Sequence, residues 1–490
     1  MADIPLPGSE LTARGARDAS DQVALGAAVP APVVEILGTL WAAGHAAYVV
    51  GGSLRDALLG RPATDWDLAT DAPPERTQSL FADAVYENQF GTVAVRRDGE
   101  EYEITTFRTD HDYADFRRPH RVEFGTSLEA DLARRDFTVN AMAWGASPAT
   151  GPATVRPATV PPATVRPATV RPDPHLVDPF GGRADVEARV LRAVGDPRKR
   201  FAEDALRMVR AVRLATTLEF AIEPETLAAI TDRADLVAHL SGERIAAELG
   251  KLLAAGRPSI GLRLLADTGI LGHVSAELAG QRGVTQNKAP GEDLWDHTLR
   301  CVDAATSRPI VRLAALVHDI GKPATAADGH FFGHETVGAE QAQALLDRLH
   351  EPRVVVERVG HLVRQHMFRY EPSWSDGAVR RFIAKVGRDA IDDLFALREA
   401  DNVGSGVPAN ADGLDELRAR VAAELAAGPI LDRSALAVDG NDLMRELGID
   451  RGPRLGRILG ALLERVIEDP ALNDPPTLLL LARDLAAGDR

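Results

Sequence analysis

From Tyr48 to Thr70 the chain reads YVVGGSLRDALLGRPATDWDLAT, the run that most restricts what it can fold into. Tyr48 to Val50 is short, apolar and closed by two glycines, so it reads as the end of a buried strand. Gly51 and Gly52 allow a tight turn and close approach to a ligand, and Ser53 to Leu59 continues with helical periodicity. Free backbone N–H groups at such a helix start favour phosphate. Asp65 and Asp67 follow, with only Trp66 between them. Residues two apart in a strand share a face, so the two carboxylates converge. Crowded carboxylates repel unless a cation lies between them, and hard oxygen donors suit Mg²⁺. Taken singly, Gly-Gly is a turn and Asp-x-Asp a solvated loop. In this order and spacing they make a phosphate cradle beside a metal-binding pair, the parts a nucleotidyl-transfer site needs.

A chain of 490 residues should hold several domains with real cores. Its formal charge of −16 does not advertise nucleic-acid binding, which needs positive surface. Arginines nevertheless gather at Arg117, Arg118, Arg121, Arg134 and Arg135, and again from Arg192 through Arg213, which fits an acidic exterior with a basic cleft. The single cysteine, Cys301, excludes an intramolecular disulfide, fits a reducing cytosol, and reads as a small buried apolar residue. No basic segment followed by an apolar core opens the chain, and the run Leu478 to Ala482 is far too short to span a bilayer. The expected setting is cytoplasmic, away from membranes.

Along the chain, residues 1–30 lack periodicity and read as a disordered lead-in. Val33 to Ala43 and Pro73 to Phe81 read as helices. Gly91 to Arg96 and Glu101 to Arg108 read as strands joined by a turn at Asp98-Gly99. Glu103, between Tyr102 and Ile104, is either a solvent-facing edge position or a third carboxylate facing Asp65 and Asp67. Thr109 to Pro119 is polar without apolar periodicity and reads as a mobile loop. Pro148 to Pro172 repeats Pro-Ala-Thr-Val every five residues, and its prolines bias it to an extended surface insertion. Phe201 to Leu214 reads as one helix, with Ala205, Met208, Val209 and Val212 on one face and Asp204 and Arg207 on another.

The Gly-Gly and Asp-x-Asp run resembles the first motif of the class II tRNA nucleotidyltransferase and bacterial poly(A) polymerase family. RRDFTVNAM, DPFGGRAD, EDALR and SGERIAAEL resemble its later motifs. The resemblance implies Mg²⁺ on Asp65 and Asp67, with Glu103 as the further acidic residue on a neighbouring strand. It implies a triphosphate held by Gly51, Gly52, Ser53 and Arg55. Arg135, Asp136 and Asn140 would supply charge, orientation and a ribose contact. Asp204 and Arg207 would read the edges of CTP or ATP, since ionised Asp only accepts and Arg only donates. Arg210 and Arg213 complete the nucleotide-binding set, and the loop at Thr109 to Pro119 would help change nucleotide specificity. The partners implied are tRNA, CTP and ATP.

A second chemistry begins at His297. LWDHTLR, LAALVHDIGKP, GHE, HLVRQHM and EADN contribute His297, His318, Asp319, His334, His366 and Asp401. The adjacent His318-Asp319 followed by Gly321-Lys322 resembles the HD metal-dependent phosphohydrolase superfamily. That resemblance implies one divalent ion on His297, His318, Asp319 and Asp401, and a second at His334 and His366. Imidazole donors favour a transition metal such as Mn²⁺, Ni²⁺, Co²⁺ or Zn²⁺. The alternative is a domain kept only as a scaffold.

The expected fold is α+β: a polymerase-beta-like nucleotidyltransferase head, then an all-helical neck, an HD domain and a C-terminal helical region. The expected divisions are 1–30 disordered, 31–185 head with a low-complexity insert at 147–174, and 186–270 nucleotide-selecting, RNA-binding neck. Residues 271–405 are the expected HD domain and 406–490 the tRNA-binding helical end. The expected function is template-independent addition of CCA to tRNA. Poly(A) polymerase is the nearest rival; that branch carries a basic GRRF-like stretch where this chain has ENQFGTVAV. From other classes come an HD hydrolase with an RNA-recognising head and a non-catalytic RNA scaffold. The sequence leaves open whether one chain adds both C and A, and the oligomeric state.

Overall fold

A computed structural model describes residues 25–88, 91–113, 119–148, 173–286 and 291–488. The expected N-terminal lead-in (apart from residues 25–30), most of the Pro-Ala-Thr-Val insert and the tip of the Thr109–Pro119 loop lie outside these. The chain divides into two compact units, Met1–Leu240 with Asp267–His273, and Ser241–Ala266 with Val274–Arg490.

The first unit is built on a seven-stranded sheet among the described residues. Its strands are β1 (Ala47–Val50), β2 (Asp67–Thr70), β3 (Val85–Asn88), β4 (Thr92–Arg97), β5 (Glu100–Thr106), β8 (Ala143–Ala146) and β9 (His175–Val177), while β6 (Arg108–Tyr113) and β7 (Pro119–Phe124) form a separate hairpin. The sheet order is β3-β4-β5-β2-β1-β8-β9. Central β1 is apolar and wholly buried, as a strand covered on both faces must be. It runs antiparallel to β2, pairing Val50 with Asp67, so the Gly-Gly turn and the first carboxylate of the strand meet at one sheet end. Asp98 and Gly99 both take positive φ in the β4–β5 turn, the conformation Asp-Gly favours. Tyr48, Val50, Phe107 and Leu132 pack together in one buried cluster, each such apolar side chain contributing about 1.5–3 kcal/mol when fully buried.

Three local expectations are corrected. The described ends of the segment read as a mobile loop are strands: β6 pairs with β7 from Arg108↔Phe124 to Tyr113↔Pro119. Backbone pairing needs no apolar alternation, so the polar sequence hid it. The single helix read over Phe201 to Leu214 is two, Pro197–Glu203 and Leu206–Leu218. Asp204 between them is extended, and its carboxylate accepts from the Leu206 N–H at 3.0 Å, a side-chain bond that competes with helix continuation. Finally, β2 begins at Asp67, leaving Asp65 just outside the ladder. Exposed Asp65, buried Trp66 and half-buried Asp67 keep the alternation, so the two carboxylates still share a side.

The second unit is helical among the described residues. Helices His334–Arg348 and Arg353–Gln365 pair, and Leu294–Ala304 packs on Ile391–Gly404. Gly321 makes one junction possible: a Cβ there would lie 2.4 Å from the His334 carbonyl oxygen, so only glycine lets the His318-Asp319 turn approach that helix. Toward the C-terminus, Leu443, Leu455, Ile458, Leu462, Val466 and Leu478 form a separate buried cluster. The helix Pro453–Glu468 is thus held by packing. Among the described residues no helix is long and apolar enough to cross a membrane.

Candidate functional site

In the first unit, β1 delivers the chain to Gly51, whose φ of 84° is open to glycine and strained for other residues. A Cβ at Gly51 would also sit 3.3 Å from both Arg135 Nη1 and Asp67 Oδ2, so the turn lies directly on the site. A polar cavity of about 300 Å³ opens there. Gly51, Gly52, Ser53, Arg55, Asp65, Asp67, Arg135, Asp136, Asn140, Arg210 and Arg213 all border it.

A hydrogen-bond chain fixes its wall. Arg55 donates to Asn140 Oδ1 at 2.6 Å, Asn140 donates to Asp136 Oδ1 at 3.1 Å, and Arg210 Nε lies 2.6 Å from Asp136 Oδ2. Burial works against the Asp136 charge, yet Arg210 and Asn140 hold its carboxyl below the ordinary range. Asp67 moves the other way. Burial, then the neighbouring Asp65 charge, push its carboxyl up, with Arg135 and Arg210 only partly compensating. A half-buried carboxylate raised in this way beside a second carboxylate is a donor set that a divalent cation satisfies, and all-oxygen donors fit Mg²⁺.

DPFGGRAD supports this wall from behind. Asp178 accepts from the Gly182 and Arg183 N–H groups at 2.7 and 2.9 Å, and Asp185 accepts from Thr138 Oγ1 at 2.6 Å, bracing the turn that carries Asp136 and Asn140.

Among the described residues that border the cavity, three expected ones do not appear: Glu103, Asp204 and Arg207. Glu103 is exposed on β5. The parallel ladder pairs Leu68 with Ile104, which sets Glu103 one step back, level with Asp67. Arg207 donates to Glu203 at 2.6 Å and to the Arg134 carbonyl at 3.0 Å, and the Asp204 carboxylate accepts from the Leu206 N–H at 3.0 Å. Sequence reading missed Asp131. It is 1 % exposed and binds Arg134 at 2.7 Å and Arg135 at 3.4 Å, fixing the cation beside Asp67. Its spacing of three and four from those arginines, which follow the end of its helix, was the available signal.

In the second unit the six expected HD residues come together. His297 Nε2 lies 3.4 Å from Asp319 Oδ2, 3.3 Å from Asp401 Oδ1 and 3.3 Å from His318 Nε2. His318 Nε2 is 3.2 Å from Asp319 Oδ2. On the other side, Asp319 Oδ1 lies 3.4 Å from His334 Nε2 and 3.7 Å from His366 Nε2. Asp319 therefore offers one oxygen to each half of the cluster. His318, His334 and His366 each commit Nδ1 to the carbonyl three residues back, Ala315, Phe331 and Val363, at 2.8, 2.7 and 2.6 Å. Those bonds place the proton on Nδ1 and leave Nε2 lone pairs converging, the arrangement of metal-ligating histidines. Burial opposes a charge on His297, yet Asp319 and Asp401 hold its imidazole up to about 11, so this pocket draws a cation. Buried Asp319 lies well below the ordinary carboxyl range, His318 and Lys322 outweighing its desolvation.

Two residues here went unassigned from sequence. Lys322 Nζ donates to Asp319 Oδ2 at 2.6 Å and to Gln286 at 3.0 Å. Cys301 is fully buried, as expected, but its Sγ lies 3.4 Å from His297 Nε2. The four-residue spacing from His297 placed both on one helix face.

Residues 47–192 match the poly A polymerase head domain, 219–280 a probable RNA and SrmB-binding site of polymerase A, and 293–405 the HD domain. The chain is 32% identical over 440 residues to a CCA-adding enzyme of Geobacillus stearothermophilus, covering 88% of this chain and 91% of that one. It is 34% identical over 455 residues to a CCA-adding enzyme of Levilactobacillus brevis, covering 92% and 96%. The crystal structure of a Bacillus stearothermophilus CCA-adding enzyme in complex with CTP superimposes with a TM-score of 0.65 at 29% identity, over 94% of this chain and 99% of that one.

Proposed function

The chain belongs to the family of CCA-adding enzymes, and from that premise we propose which of its residues perform each part of the work. The reaction is template-independent addition of C and A to the 3′ end of tRNA from CTP and ATP, releasing pyrophosphate. The observation that carries the site assignment is the single cavity edge shared by Gly51, Asp65, Asp67 and Arg135.

We assign Asp65 and Asp67 to Mg²⁺, with Glu103 adjoining them. There the two carboxylates would hold a divalent ion, whose charge would offset that of the triphosphate and favour ionisation of the attacking 3′-hydroxyl. Gly51, Gly52, Ser53 and Arg55 receive the triphosphate, and Arg135 adds positive charge beside the carboxylates. Asp136, Asn140, Arg210 and Arg213 orient the sugar and phosphates. Asp204 and Arg207 read the base; Arg207 exchanges its Glu203 partner for the base edge as nucleotide enters. We place the head at 31–185, the nucleotide-selecting neck at 186–270, the HD domain at 271–405 and the tRNA-binding helical end at 406–490. The HD residues His297, His318, Asp319, Asp401, His334 and His366 form a second, phosphohydrolase centre for transition-metal ions, supported by their converging Nε2 atoms. These residues would hold such ions, which would supply polarisation of a phosphoryl oxygen and activation of water, with phosphomonoesters and 2′,3′-cyclic phosphates as the substrate class.

The test of the main activity uses tRNA ending at the discriminator base, with CTP and ATP given separately and together, and sequencing of the 3′ ends. Cytidines with CTP alone and CCA with both are expected. A run of adenosines from ATP alone would instead make the chain a poly(A) polymerase.

A further inference from the structure

Resting on the reading of the HD cluster as a metal centre, we infer that Cys301 supplies a thiolate donor to the ion shared by His297, His318 and Asp401. That donor makes the position selective for thiophilic divalent ions such as Zn²⁺ or Co²⁺.

Cys301 stands one turn after His297 on the helix Leu294–Ala304, so both side chains leave the same face. Its Sγ lies 3.4 Å from His297 Nε2 and 3.8 Å from Nδ1. A thiol that served only to accept the Nδ1 proton would lie nearer Nδ1. Two donors sharing one ion behave as observed: Zn–S of about 2.3 Å and Zn–N of about 2.0–2.1 Å at a tetrahedral angle put sulfur and nitrogen roughly 3.5 Å apart. The ligand atoms of His297, Cys301, His318 and Asp401 all lie within 4.8 Å of one another. The opposing helix holds the thiol in this position. Gly404, three residues after Asp401, leaves the sulfur its space, since a Cβ there would lie 2.2 Å from Sγ. The other half of the cluster, Asp319, His334 and His366, has no sulfur donor.

The chemistry is a ligand exchange without redox change. The S–H bond gives way to an S–metal bond, and the proton leaves to solvent. A thiolate favours Zn²⁺ over Mg²⁺, whereas imidazole and carboxylate alone discriminate less. The two halves of one cluster therefore differ in metal preference.

Because Cys301 is the single cysteine of the chain, any sulfur-to-metal signal must come from it. The intact protein is stripped of metal, titrated with Co²⁺ and followed by absorption, alongside Cys301→Ser and Cys301→Ala. The expected result is a near-ultraviolet sulfur-to-cobalt charge-transfer band in the parent. Both variants should lose that band while keeping the visible cobalt bands of a filled site, and Zn²⁺ affinity at the first position should fall by roughly 10- to 100-fold or more. Visible cobalt bands in the parent without charge transfer would overturn the thiolate assignment and leave the HD centre standing. If the parent binds neither Co²⁺ nor Zn²⁺, the metal-centre reading fails and the inference fails with it.

Discussion

His334 and His366 face each other Nε2 to Nε2 at 3.4 Å, while the Nδ1 of each is committed to a backbone carbonyl at 2.7 and 2.6 Å. Two acceptors at that distance have no proton to share and repel, and a cation between them removes the repulsion. His334→Ala should therefore remove one of two bound ions and leave the first position filled, because His297, His318 and Asp401 do not depend on that ring. Metal analysis after loading with Mn²⁺ or Co²⁺ reads this directly. A His334→Ala protein still holding two ions would show that these histidines are not ligands.

Asp67 makes a prediction about stability as well as activity. Its carboxyl is raised by burial and by Asp65. A group whose folded pKa lies above its unfolded value stabilises the fold below the unfolded value, and loses that contribution as pH rises through the folded one. At neutral pH, without metal, the ionised Asp67 thus costs stability. Asp67→Asn should raise the melting temperature in chelator, by about 2–4 °C per kcal/mol of strain relieved in a unit of this size. Mg²⁺ should stabilise the parent and leave the variant unchanged. CMP addition should fall by about 10²–10³-fold or more. Thermal melts with and without Mg²⁺, paired with primer-extension rates on tRNA, check both halves.

Much of this site was legible because its residues lie close in sequence and their chemistry repeats at strand or helix spacing. Gly51-Gly52, Asp65-Trp66-Asp67 and His318-Asp319 each announce themselves within a few positions. What sequence could not give was competition between side chain and backbone. Asp204 satisfies the Leu206 N–H and splits a helix whose apolar period runs on unbroken. Nor could it show that polar β6 and β7 pair, since the ladder is made by backbone groups. Asp131 was missed because an acid near two arginines reads as a surface pair, until burial to 1 % makes it the anchor of Arg135.

Arg207 is held on Glu203 and on the Arg134 carbonyl, with both guanidinium ends engaged. Reading a base requires part of this to be exchanged. Arg207→Ala should reduce turnover with both CTP and ATP, and discrimination against UTP and GTP should fall by about 10²-fold, because a site built to hydrogen-bond its substrate rejects others through unpaired partners. The cavity wall at Arg55 and Asn140, proposed to receive the triphosphate, is untouched, so some binding should persist. Misincorporation assays with all four nucleotides measure it, and a variant as selective as the parent would remove the base-reading role.

The two centres should separate by mutation and by metal together. The head presents carboxylates alone, Asp65 and Asp67, to an ion, which suits Mg²⁺. The HD cluster presents four imidazoles with Asp319 and Asp401, which suits Mn²⁺, Ni²⁺, Co²⁺ or Zn²⁺. They lie in different compact units with separate cores. His318→Ala with Asp319→Ala should abolish hydrolysis of 2′,3′-cyclic phosphates and phosphomonoesters in every transition metal, and leave CCA addition in Mg²⁺ within about threefold, because independent sites couple by only about 0.3–0.5 kcal/mol. Asp65→Ala with Asp67→Ala should do the reverse. Circular dichroism melts of both double variants separate loss of chemistry from loss of fold, which matters because removing Asp319 strands the buried Lys322 charge. The assay is each protein on each substrate across the metal panel. Should the parent hydrolyse nothing with any of these metals while metal analysis finds the HD cluster without bound ions, the cluster is a scaffold and the second activity is refuted.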